Sequence, residues 1–318
     1  MFRKHTRRAA KAAFAISFGV ALLIGLTACG GGGGSSNTTA TTSAAPKPTI
    51  TLGTKNFGEE YILGQLYGQA LQAKGFPVTY KGSFGSSELA DKAITSGKMN
   101  FYPEYTGVVA LDLAKVANAP KSANATYVAA KKFEDGRGLT MLNPTPFADT
   151  DTFTTLTSTA KKDGLKTMSD LKKLKSFSYA GYPECQTRIT CILGMKQVYG
   201  LNNISFIPIG SISVYTLLDQ NKATGGDGFS TDPQQLQTNK YTALVDDKHI
   251  FGFQNVAPVL KRTLITGPNG ALLASTANAV SAKLTLAAMQ AMNKAYVVDK
   301  KTPKQIASAF LQANGLSG

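Results

Sequence analysis

Between Ile50 and Tyr102 the chain alternates between short apolar runs and segments with helical spacing, and that alternation limits the fold more than any other feature. Ile50-Thr51-Leu52-Gly53-Thr54 reads as a strand. Ile62, Leu63, Leu66, Ala70 and Ala73 then recur at helical spacing over residues 59–74, and Gly75 closes that helix. Residues 78–81 give a second strand, Ser87 caps a helix through Ser96, and residues 99–102 give a third strand. This order predicts a mainly parallel sheet with covering helices. The pattern resumes after residue 155, with helices at 169–175, 189–199 and 214–221 and strands at 177–180, 204–208 and 243–245. At 318 residues the chain is too long for one typical core, so two α/β lobes are expected. Residues 144–153 and 251–258 are rich in turn residues and aromatics and supply a hinge with two crossings. Residues 262–265 read as a strand, and helices at 278–297 and 302–313 return to the first lobe. The predicted division is lobe 1 at 49–150 and 256–318, and lobe 2 at 151–255.

The N-terminus carries a separate message. Arg3, Lys4, Arg7, Arg8 and Lys11 precede 17 uncharged residues, Ala12 to Ala28, which end in Leu26-Thr27-Ala28-Cys29. This resembles a bacterial lipoprotein signal, with cleavage after residue 28 leaving Cys29 as a lipidated N-terminus. An uncleaved anchor with a free cysteine is the alternative. Residues 29–48 are rich in Gly, Ser, Thr, Ala and Pro and read as a flexible tether. Removing the five basic residues of the first segment leaves 29 basic against 19 acidic. The lysines are scattered and no basic helix or zinc-finger spacing occurs, so nucleic acid is not the expected partner. Proximity to anionic membrane or wall polymer fits the charge better. Cys185 and Cys191 are the remaining cysteines, and in an exported chain they are expected to form one disulfide. His5 and His249, the sole histidines, make no metal cluster.

Catalytic constellations are absent from the sequence: it has no Gly-x-Ser-x-Gly elbow, no Walker loop and no dinucleotide fingerprint. Glu59 and Glu60 open a helix and favour its dipole. The stretch Asn100-Phe101-Tyr102-Pro103-Glu104-Tyr105-Thr106-Gly107-Val108 reads instead as a strand end that leaves its sheet at the proline and presents tyrosines to a cleft. The chain has no tryptophan but 12 tyrosines and 16 phenylalanines, several at element ends: Phe57, Tyr105, Phe153, Tyr182, Tyr215, Phe229 and Phe253. Aromatic faces that converge without a carboxylate in contact favour a quaternary ammonium.

Five motifs in register carry a family resemblance: Gly53-Thr54-Lys55-Asn56-Phe57 with Glu60, Tyr102-Pro103-Glu104-Tyr105-Thr106-Gly107, Pro144-Thr145-Pro146-Phe147, Gly228-Phe229-Ser230-Thr231-Asp232 and Ala257-Pro258-Val259. The chain resembles the glycine betaine, choline and carnitine substrate-binding proteins of ABC importers. That resemblance implies a type II periplasmic-binding-protein fold whose lobes close on ligand. It also implies an extracytoplasmic monomer without cofactor or metal that delivers solute to a permease driven by a separate ATPase. It places an aromatic box at Tyr105, Phe153, Phe229 and Phe253, with Gln254 in the last position if the register shifts by one. Lys55 and Arg188 would hold a ligand carboxylate, and the loop between Cys185 and Cys191 would present Arg188. Val108 departs from the betaine binders, which tend to carry a hydroxyl there, so either another donor takes the carboxylate or the ligand's far end is less polar, as choline's is compared with betaine's. Another cationic or zwitterionic solute, such as an amino acid or opine, is the alternative ligand; an extracellular enzyme or adhesion protein on the same scaffold is the alternative class.

Overall fold

The computed structural model of the protein describes residues 45–210 and 212–318; the expected signal peptide, Cys29 and most of the expected tether lie outside the described residues. The described chain builds two five-stranded sheets with the same layout. The first contains β1 (Ile50–Thr54), β2 (Val78–Ser83), β3 (Phe101–Tyr105) and β4 (Leu139–Met141). The second contains β5 (Asp151–Leu156), β6 (Phe177–Gly181), β7 (Ile204–Pro208), β8 (Gly225–Phe229) and β9 (Tyr241–Leu244). The last strand, β10 (Val256–Lys261), returns to the first sheet, giving the orders β2-β1-β3-β10-β4 and β7-β6-β8-β5-β9. Each sheet is mixed rather than mainly parallel. Its antiparallel member, β10 or β5, is the strand that follows a crossing from the other lobe, and it enters the sheet from the opposite end.

The helices in chain order are α1 (Gly58–Ala73), α2 (Ser87–Thr95), α3 (Ala123–Asp135), α4 (Thr157–Asp163), α5 (Ile192–Gln197), α6 (Val214–Asp219), α7 (Thr263–Thr266), α8 (Gly270–Lys283), α9 (Leu286–Val297) and α10 (Pro303–Ala313). The apolar stripe of α1, with Ile62, Leu63, Leu66 and Leu71 fully buried, packs with Ile50, Leu52 and Phe101 from the sheet and with Leu273, Val280 and Leu311 from α8 and α10. Each such side chain contributes roughly 1.5–3 kcal/mol by burial, so this face holds the C-terminal helices on lobe 1. In lobe 2 the corresponding core gathers Phe153, Phe177, Tyr179, Met195 and Tyr199.

Three elements differ from the sequence reading. The chain does not leave the sheet at Pro103. Backbone N–H groups of Thr106 and Lys261 donate to Asn255 and Asn100, and this alternation makes Pro103 and Pro258 a non-hydrogen-bonded pair. Between β3 and β10 neither proline is asked for the donor it lacks, and on the β4 side the Pro258 carbonyl still accepts from the Leu142 N–H, so both sit inside strands. The expected strand at 262–265 is a helical turn, α7, because β10 ends at Lys261. The expected helix at 278–297 is two helices bent by 86°; Thr285 stops the run and its side chain accepts from the Ala288 N–H to start α9. Among the described residues no single helix is long and apolar enough to cross a membrane; α8 and α9 satisfy that test only as this bent pair.

Candidate functional site

The ends of β1, β3, β5 and β8 and both crossings converge on one cleft. Its lobe 1 wall is built from the loop after β1 and the end of β3. Phe57 lies between Tyr105 and Phe229, with ring centroids 6.2 Å and 6.3 Å away and interplanar angles of 24° and 2°. The Tyr105 hydroxyl donates to Glu59 Oε1 at 2.8 Å, and Glu59 Oε2 accepts from Asn293 at 2.7 Å. Burial and the neighbouring Glu59 push the phenol well above its ordinary range. Lys55 is 4 % exposed, and its Nζ lies 2.5 Å from Glu104 Oε1, 3.3 Å from Ser87 Oγ and 3.9 Å from Glu60 Oε1. That ammonium also sits 4.0 Å from the centroid of the Tyr105 ring. Burial pushes Glu60 up to about 8 despite Lys55.

Val108 starts a π-helical segment, Val108–Leu113, directly after the β3 turn. Its N–H donates to Gln254 Oε1 at 3.1 Å. A Cβ on Gly107 would come within 2.6 Å of the Gln254 side chain, so glycine is what allows that amide to pass. Both Val108 and Gln254 line the cleft.

Lobe 2 contributes charge. Asp151 at the start of β5 lies opposite Phe229 in the strand register, and Asp227 is within the same pair of strands. Tyr179 donates to Asp227 Oδ1 at 2.9 Å, and Thr231 donates to Asp149 Oδ1 at 2.6 Å. Burial pushes Asp227 up to about 7, and burial with Asp227 nearby pushes Asp151 up. Glu184 and Tyr182 complete this wall. The cleft continues past Phe57 and Phe229 into a second opening lined by Tyr215, Asp232, Asn293 and Tyr296.

Contacts close the cleft from both sides. Arg188 Nε and Nη2 each donate at 3.1 Å to the two carboxylate oxygens of Glu88 on α2. Burial alone would raise Glu88, but Arg188 outweighs it and holds that carboxyl at about 2. Thr190 donates to Asp112 at 2.9 Å, and Gln290 and Asn293 on α9 donate to the carbonyls of Ser230 and Thr231. Cys185 and Cys191 line the cleft beside Arg188, with Cα atoms 5.3 Å apart and sulfurs at disulfide distance. The two sulfurs and an Asp227 oxygen also lie within 4.8 Å of one another, but sulfurs this close are better read as a bonded pair than as metal ligands.

Of the residues singled out in the sequence, the structure thus brings together Lys55, Tyr105, Val108, Arg188, Phe229 and the two cysteines. It does not bring Phe153 or Phe253. Phe153 lies two residues deeper along β5 than Asp151, and its ring is buried against Phe177 at 5.8 Å and Tyr179 at 5.2 Å in the core of lobe 2. Phe253 is replaced at the cleft by Gln254, since neighbours in extended chain face opposite ways. Lys55 and Arg188 both face the cleft already paired with protein carboxylates. Phe57, Tyr182, Glu184, Asp149, Asp151 and Asp227 are among the lining residues that sequence reasoning did not assign. Asp227 had a signal, since it stands among Gly225, Gly226 and Gly228, where backbone packs closely.

Comparison with known proteins agrees with this architecture. The model of the substrate-binding domain of ABC-type glycine betaine transport systems matches residues 48–313. A glycine-betaine-binding protein of Pseudomonas aeruginosa is 30% identical over 286 residues, covering 86% of this chain and 90% of the relative. A carnitine transport binding protein, OpuCC, of Listeria monocytogenes is 27% identical over 276 residues, covering 84% and 87%. Among solved structures, a glycine betaine/carnitine/choline ABC transporter protein superposes with a TM-score of 0.68 at 23% identity, covering 85% of this chain and 100% of the other. Lactococcal OpuAC, closed on glycine betaine, gives 0.60 at 15% identity, covering 85% and 97%. These structures share the periplasmic-binding-protein-like fold. The chain belongs to the family of substrate-binding domains of ABC-type glycine betaine transport systems, a family of transport proteins rather than of enzymes.

Proposed function

We propose that the protein captures a quaternary ammonium solute of the glycine betaine, choline or carnitine type between its lobes and delivers it to an ABC permease driven by a separate ATPase. The observation that carries this reading is the aromatic wall of Tyr105, Phe57 and Phe229, faced by Tyr182 and by the carboxylates of Asp151 and Asp227. A methylated ammonium cannot donate hydrogen bonds, so ring faces and nearby negative charge are what can hold it, at about 0.5–2 kcal/mol per desolvated ring. Val108, Lys55 and Arg188 border the same space and would meet the ligand's other end. The bridges Glu88–Arg188 and Asp112–Thr190 join the lobes across the cleft and would form on closure.

The chain acts as a monomer outside the cytoplasmic membrane, lipid-anchored through Cys29 after removal of residues 1–28, with residues 29–48 as its tether. Cys185 and Cys191 form a disulfide that staples the loop bearing Arg188. Calorimetry on the purified chain is the direct test, since no tryptophan reports binding. Saturable binding of at least one quaternary ammonium, without turnover and without comparable affinity for arginine, is the expected outcome. Affinity for arginine alone would transfer the site to cationic amino acids.

A further inference from the structure

We infer that the cleft selects solutes with a net positive charge, such as quaternary ammonium alcohols, over zwitterions, and that Asp151 is the residue that sets this preference. The inference rests on the quaternary ammonium reading of the site and narrows it.

A zwitterionic betaine brings a carboxylate that must exchange its water for protein cations or donors. The cleft offers two cations, Lys55 and Arg188, and neither is free. Lys55 contacts Glu104 at 2.5 Å with Glu60 at 3.9 Å. Arg188 forms a two-pronged pair with Glu88. Arg188 Nη1 keeps its protons for another acceptor, but the charge that would attract a carboxylate is already matched. At the position where a donor could stand, Val108 presents methyl groups, and its N–H is taken by Gln254.

The negative charges have the opposite standing. Asp149, Asp151, Glu184 and Asp227 all line the cleft. Asp227 receives a hydrogen bond on one oxygen from Tyr179, and Asp149 one from Thr231. Asp151 receives none from any other side chain among the described residues. Its position in the strand register also sets it beside the aromatic wall. Asp151 pairs with Phe229 across the β5–β8 ladder, so the two side chains rise from the same face as neighbours, and the Phe229 ring lies parallel to Phe57. A trimethylammonium against those rings therefore lies beside a carboxyl that no other side chain hydrogen-bonds, and its charge favours the ionised form against the burial and the neighbouring Asp227 that push Asp151 up. The same neighbourhood repels a ligand carboxylate, which meets Asp151 and Asp227 with no unmatched cation to offset them.

The test is calorimetry at pH 8 on the full chain solubilised in detergent, using choline, tetramethylammonium and glycine betaine. Choline and tetramethylammonium should bind at least tenfold more tightly than glycine betaine. Asp151→Asn should weaken choline at least tenfold and leave glycine betaine unchanged or improved, whereas Asp151→Glu, which keeps the charge, should retain the preference. Equal or tighter binding of glycine betaine to the unaltered chain would overturn the inference and leave the quaternary ammonium reading standing. So would equal losses for both ligands in Asp151→Asn when its thermal midpoint matches the parent. Binding of none of the three would overturn the inference and the reading beneath it together.

Discussion

The two walls of the cleft are made alike and finished differently. Each lobe has the same strand order and contributes strand ends to the site. The lobe 1 wall is closed upon itself: Tyr105 is tied to Glu59, Lys55 to Glu104 and Ser87, and these groups are almost fully buried. The lobe 2 wall leaves Asp151 without a side-chain donor among the described residues and exposes parts of Tyr182, Phe229 and Glu184. The difference teaches that lobe 1 is a preformed platform and lobe 2 the part that reads the ligand. Changes to the tied, buried groups of the first wall should act on stability, and changes to the partly exposed side chains of either wall, Phe57 included, on binding.

The largest expected effect is the pH dependence of the unliganded protein. Burial raises Glu60 to about 8, and raises Glu134 and Asp227 to about 7. Between the ordinary carboxylate range and those values the folded state holds more protons than the unfolded chain. Stability therefore falls as pH rises through that window. Glu88, held at about 2, works the other way, and its contribution is lost only in strong acid. Thermal melts should show a maximum near pH 5 and a decline toward pH 8, and a bound cation should shrink the decline. A flat profile from pH 5 to 8 would break the picture of buried, proton-sharing acids.

Glu104→Gln comes next. It strips the buried Lys55 of its close partner and should cost about 3–5 kcal/mol of stability in a denaturant titration. Replacing Cys185 and Cys191 by serine should cost about 2 kcal/mol for so short a loop. It should also weaken ligand binding if the loop positions Arg188; unchanged affinity would remove the staple from the account of the site. Phe57→Ala should lower affinity by about 0.5–2 kcal/mol, or roughly 2- to 30-fold, through the lost ring face, with little change in the thermal midpoint. The smallest effect belongs to Glu88→Gln. Its pair with Arg188 is partly exposed, so at most about 1 kcal/mol is expected, seen as a few-fold faster ligand release that added salt mimics in the parent protein.

Much of the fold was legible because periodicity is a local property. The run from Ile62 to Ala70 could only be a helix with one buried face, and the alternation around it could only be an α/β lobe. What was not legible depended on partners distant in sequence. Pro103 and Pro258 each argue against a central strand until the two are seen opposite one another. Phe153 and Asp151 share one face of β5, and only the depth at which that strand enters its sheet decides which of them reaches the cleft. Motif resemblance pointed to segments that border the cleft, but the side chains of Phe153 and Phe253 are not among those that line it. The carboxylates escaped notice because charge at a site is a sum over segments, and Asp149, Asp151, Glu184 and Asp227 come from three of them.

The position of β10 has a consequence for time as well as space. It fills the gap between β3 and β4, so the sheet of lobe 1, which the chain begins first, cannot be completed until the whole of lobe 2 has been traversed. Bringing residue 258 back to residue 103 closes a loop of about 155 residues, and a long loop is slow to close even when its entropy cost grows only gently with length. In a chain made from its N-terminus, lobe 2 is the first unit able to finish, and the platform of lobe 1 is the last.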